Sequence, residues 1–112
     1  MFRDEARRKI EDELARGSAA RQAGLEGRAR VCARRAAGAA IREYLELRGL
    51  PAPGPSAYDL LASLHDLPDI PDEARQAAES LLERVDESFA LPAGMDLLEL
   101  ARKLARMLEA RV

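Results

Sequence analysis

The chain has 112 residues, 34% of them charged, with a formal net charge of −2, two Phe, two Tyr and no Trp. One Cys and one His exclude an internal disulfide, a Cys-cluster zinc site and a His–His pair within one chain. No apolar run reaches the roughly 18 residues needed to span a membrane.

Residues 2–23 have the period of a first helix, with Phe2, Ala6, Ile10 and Leu14 on one row. Gly17 and Ser18 weaken its middle, and Gly24 suits the stop position just past its end. A central helix follows over 25–48 and ends near Gly49. Its apolar row is Ala29, Cys32, Ala33, Ala36, Ala40, Tyr44 and Leu47. Most of that row is small, so a neighbouring backbone can come close. Gly38, beside Ala37, Ala39 and Ala40, marks such an approach, either inside a bundle or at a dimer contact.

Residues 50–56 hold three prolines and a glycine and read as a loop. Ser56 is placed to cap a short helix over 57–65, with Asp59 three residues on. That helix would bury Leu60, Leu61 and Leu64. Residues 66–71 stop it, and Pro71, Asp72 and Glu73 suit the start of a fourth helix over 71–90. Ala74, Ala77, Ala78, Leu81, Leu82, Val85 and Phe89 share its apolar face. A turn over 91–94 leads to a last helix over 95–111, buried through Leu97, Leu100, Ala101, Leu104 and Leu108. No segment alternates at period two. The expectation is one all-α domain over 1–112: an antiparallel bundle of four long helices and one short one.

The net charge hides an asymmetry. Residues 1–50 carry 12 Lys/Arg and 8 Asp/Glu, whereas residues 51–112 carry 6 and 12. The halves can attract each other within the fold or across a dimer. Such a balance is unlike the basic footprint of a dedicated nucleic-acid binder. The first residues lack the apolar stretch of a secretory signal, so a reducing, cytoplasmic setting is expected.

Arg28, Arg35 and Arg42 recur every seven residues and so share one helix stripe, with Arg34 beside Arg35. Guanidinium groups pair with phosphate in a forked geometry, so the stripe is a candidate phosphate site. The competing reading is pairing with the acidic second half. Cys32 falls on an apolar face and reads as a small core residue. His65, in SLHDLPD, has no neighbouring nucleophile in sequence and reads as a histidine at a helix C-terminus. Asp86 and Glu87 point about 100° apart on a helix, which disfavours a shared metal ion. No metal and no cofactor are expected.

The run RARVCARRAAGAAIREYLELRG, then SAYDLLASL, then the long fourth helix, resembles the HEPN domains over roughly residues 3–110. That resemblance implies an all-α bundle, usually dimeric. It implies either pairing with a small nucleotidyltransferase in a toxin–antitoxin arrangement or metal-independent ribonuclease activity. The family's catalytic signature is an arginine, usually followed by a polar residue, with a histidine four to six positions on. Here Arg84 fits the arginine and Phe89 stands at the histidine. Leu91 stands where some members carry a tyrosine that the partner enzyme modifies. Phe89 cannot transfer a proton, and cleavage through a 2′-hydroxyl needs an acceptor near neutral pH.

The expectation is therefore a non-catalytic HEPN-like dimer. Its partner would be a nucleotidyltransferase or another protein, or a nucleotide or RNA phosphate held by Arg28, Arg35, Arg42 and Arg84. The alternative is a ribonuclease with a rearranged site built from Arg84, Asp86 and His65.

Overall fold

A computed structural model describes residues 1–83 and 96–112. The described chain is all-helical: α1 (Asp4–Gln22), α2 (Glu26–Leu47), α3 (Ala57–Ser63), α4 (Asp72–Leu82) and α5 (Leu97–Glu109), with a single 3-10 turn at Leu64–Asp66 after α3. No strand occurs among the described residues.

Local chemistry sets several helix ends. Gly24 and Gly49 both adopt positive φ, at 78° and 70°. Each closes its helix with paired backbone bonds: Leu25 N–H donates to Ala20 O at 2.8 Å and Gly24 N–H to Arg21 O at 3.0 Å, and Leu50 and Gly49 repeat the pattern on Leu45 and Glu46. Only a residue free of a Cβ penalty takes that conformation cheaply, and the bonds satisfy carbonyls the helix would otherwise orphan. Ser56 Oγ accepts from Asp59 N–H at 3.0 Å and starts α3. Asp96 Oδ1 accepts from Glu99 N–H at 3.1 Å and starts α5.

The centre of the packing is α2, which contacts α1, α3, α4 and α5. That position explains its small residues. Ala33, Ala36, Ala37 and Ala40 are fully buried, and so are Ile41 and Tyr44. Burial wraps further around α2 than a single stripe, taking in Ala37, Ile41 and Leu45, because neighbours press on it from several sides. Leu47, the last member of the expected row, is 39% exposed instead. The other faces contribute Phe2, Ile10 and Leu14, then Leu60, Leu61 and Leu64, then Ala74, Ala77, Ala78 and Leu81, and from α5 Leu97, Ala101, Leu104 and Leu108. Leu100 is only partly buried.

Two glycines act through close approach. A Cβ on Gly38 would stand 3.2 Å from both Cα and Cβ of Ala57, so the small-residue segment of α2 is used within the chain, against α3. Gly17 does not interrupt α1, which runs unbroken through it. A Cβ there would stand 2.5 Å from Leu98 Cδ2 and 3.1 Å from Cys32 Cβ. The glycine that costs helix propensity is thus what lets α1 lie against Cys32 of α2 and Leu98 of α5. Gly17→Val is expected to lose about 1–3 kcal/mol by overpacking. Gly27→Ala, whose Cβ would meet only Arg30 Nη2 at 3.8 Å, is expected to gain up to about 1 kcal/mol from helix propensity. Thermal melts of the two variants check both signs.

The fourth helix differs from expectation. It ends at Leu82, and Glu83 is extended at φ −58°, ψ 131°. Arg34 of α2 meets this end. Arg34 Nε donates to Leu81 O at 2.6 Å, and its Nη2 donates to Glu83 O at 3.0 Å. The expected apolar positions Val85 and Phe89, and the expected turn at 91–94, lie outside the described residues. The short third helix also divides, its last residues tightening into the 3-10 turn that carries His65.

Candidate functional site

The arginine stripe of α2 lies along two grooves that it shares with α1. Arg28 and Arg35 line the first, about 670 Å³, together with Arg16, Leu25, Val31 and Cys32. Arg35 and Arg42 line the second, about 490 Å³, with Lys9 and Glu13 from α1 and the segment that starts α3. Arg35 is common to both grooves. Arg28 and Arg35 are exposed and make no ion pair or hydrogen bond among the described residues. Arg42 is half-buried and donates Nη2 to Pro55 O at 3.2 Å, which fixes it against the loop before α3.

The expected pairing of the basic first half with the acidic second half exists, but it uses other residues. Arg7 meets Glu109 at 2.8 Å and Arg21 meets Asp96 at 2.8 Å. Arg102 to Glu11, at 3.2 Å, runs with opposite polarity. Arg34, adjacent in sequence to Arg35, is turned to the end of α4 by its bonds to Leu81 and Glu83. Burial and the nearby Arg30 lower its pKa from the usual arginine value.

Two buried carboxylates were not singled out by the sequence. Glu43, 3% exposed, accepts from Arg3 Nη2 at 2.6 Å and from Arg3 Nε at 3.1 Å, and Arg3 N–H donates to its Oε2 at 2.6 Å. Arg3 also reaches Glu46 Oε2 at 2.6 Å. The Arg3 guanidinium holds the Glu43 carboxyl below the usual carboxylate range. Glu13, 7% exposed, pairs with Arg16 through Oε1 at 3.2 Å, while its Oε2 is buried with no partner. A faint signal existed for both. Glu13 stands one position before the apolar Leu14, and Glu43 one before Tyr44, where a charged residue reaches the edge of a buried row.

A pH prediction follows. Glu43 is lowered by Arg3, Glu109 by the Phe2 N–H and Arg7, and Asp96 by Arg21. Each folded pKa lies below its unfolded value of roughly 4. Their contribution is present above that value and is lost as pH falls through the folded values. Melting temperature should hold from pH 7 to about 5 and fall below about 4. Glu43→Gln should make that acid limb shallower. Asp96, whose side chain is 52% exposed, should contribute little because solvent screens it.

The remaining candidates are dispersed. His65 is exposed on the 3-10 turn and lines none of the grooves described above. Cys32 is buried at 5% exposure, a packing residue facing Gly17. Arg84 and Asp86, with Glu87, Phe89 and Leu91, lie outside the described residues. Among the described residues no group of three or more His, Cys, Asp or Glu is placed to hold a metal ion. No helix there is long and apolar enough to cross a membrane.

In comparisons with known proteins, no family model, no curated protein and no solved structure matches this chain at a significant level.

Proposed function

We propose that this protein is a non-catalytic binding module of HEPN type that holds a nucleotide or RNA phosphate on the Arg28, Arg35 and Arg42 face. In this reading the chain is an antiparallel helical bundle, works as a homodimer in the cytoplasm, and pairs with a small nucleotidyltransferase or another protein. The dimer and the protein partner follow from the sequence resemblance. The phosphate site has its own support: Arg35 joins two grooves, and Arg28 and Arg35 are left without partners among the described residues. A fold that spends Arg3, Arg7, Arg21 and Arg34 on internal bonds leaves Arg28 and Arg35 of this row exposed.

Binding to short single-stranded RNA tests it, measured at several salt concentrations with the RNA followed for cleavage. Three phosphate contacts predict that log K falls with log salt at a slope of about −2. No cleavage is expected. Salt-independent binding, or none, overturns the phosphate site. Cleavage that survives repurification and is abolished by His65→Ala or Arg84→Ala overturns the non-catalytic reading. Light scattering on the same preparation tests the dimer, and a monomer at tens of micromolar removes it.

A further inference from the structure

The groove between α1, α2 and the start of α3 holds a carboxylate with one unpartnered oxygen beside three cations. Lys9, Arg35 and Arg42 line it together with Glu13, and Ala39, Pro55 and Leu60 supply apolar wall. The Glu13 side chain is 9% exposed, so it is more than nine-tenths buried. Its Oε2 has no hydrogen-bond partner, and its Oε1 is held by Arg16 at a long 3.2 Å. A buried carboxylate oxygen without a donor is costly, and proteins rarely leave one. Neither Arg35 nor Arg42 reaches Glu13 by an ion pair or hydrogen bond among the described residues, and Arg42 spends one Nη2 bond on Pro55 O and keeps its other donors. Glu13 is itself one of the residues that line the groove. The volume, about 490 Å³, falls within the range of about 300–1,000 Å³ of small-molecule sites.

We propose that this groove takes an organic phosphate that also carries an amino group. The phosphate meets Lys9, Arg35 and Arg42, the amino group donates to the Glu13 carboxylate, and the body of the molecule lies on Ala39, Pro55 and Leu60. An anion alone would gain from the cations but leave Glu13 as it is. A cation alone would satisfy Glu13 but meet three like charges. A ligand carrying both groups uses every charged side chain that lines the site. The proposal rests on the phosphate-binding reading above and deepens it by assigning one end of the arginine face a small-molecule specificity.

Two size-matched probes separate the proposal from that reading: AMP, and purine riboside 5′-monophosphate, which lacks only the amino group. Calorimetric titration of the full-length chain should show AMP binding at least tenfold tighter. Glu13→Gln should bring the two within about threefold while both still bind. Its thermal melt is run alongside, and the wild-type comparison stands without it. Equal binding of the two nucleotides by the wild type overturns the Glu13 assignment and leaves the arginine-held phosphate intact. Failure to bind either nucleotide while RNA still binds with a steep salt dependence also overturns this site alone. Failure to bind nucleotide and RNA together overturns both.

Discussion

Arg35→Glu is expected to weaken RNA binding at least tenfold at low salt and to lower the magnitude of the salt slope by about 0.7, the share of one phosphate on a single strand. The size of the effect comes from position. Arg35 is the one residue that lines both grooves of the cationic face, so reversing its charge interrupts the row between Arg28 and Arg42. The variant should fold normally, because Arg35 is exposed and has no partner among the described residues. Surface changes of that kind usually stay within about 0.5 kcal/mol of the parent. Arg34→Ala is the contrast. Arg34 sits one residue earlier but serves the carbonyls of Leu81 and Glu83. It should cost about 1–3 kcal/mol of stability, as the loss of charge-assisted bonds does, and leave RNA binding close to that of the parent. Filter binding across a salt series, with a melt for each variant, reads both. Unchanged binding by Arg35→Glu, or a loss of binding by Arg34→Ala in a folded protein, would show that the face is not the site.

Leu104→Ala should be the most damaging single truncation on α5, at about 2–5 kcal/mol. Leu104 is fully buried, on a helix that packs against both α2 and α4. The buried residues of α2 and α4 are largely alanine, and short side chains cannot swing over to refill a void. The cavity term should therefore lie toward the upper part of that range. At roughly 4–8 °C per kcal/mol for a domain near this size, melting temperature should drop by more than 10 °C. Leu100→Ala, on the same helix but only partly buried, should cost clearly less. Chemical denaturation with an unchanged m value would confirm that the loss is one of stability and not of compactness. Equal costs at the two sites would mean that α5 is not seated on α2 through Leu104.

The helices and their ends were legible where the determining contacts are local. A period near 3.6 places Ile10, Leu14, Ala33, Ala36, Leu81, Leu104 and Leu108 inward without knowledge of the partner. The stops at Gly24 and Gly49 and the cap at Ser56 act over two to five residues, so their chemistry can be read along the chain. The heptad of Arg28, Arg35 and Arg42 likewise puts them on one face by helix geometry alone.

What the tertiary structure decided depends on residues far apart in sequence. Arg34 and Arg35 are neighbours of the same type with opposite fates, because Leu81, 47 positions beyond Arg34, accepts from one and nothing described accepts from the other. The same side chain meets the end of α4 at Leu82, where the apolar pattern alone would carry the helix on. Gly17 looks like a weak point until Leu98 and Cys32 arrive beside it and make the missing Cβ a requirement. Glu43 and Glu13 look like solvated surface until α1 and α2 close over them, giving one a forked arginine and leaving the other with a bare oxygen. Hydrophobic period is a property of one helix and is written in its own residues. The partner of a charge and the fit of a glycine are properties of two helices, and only packing brings the second one into place.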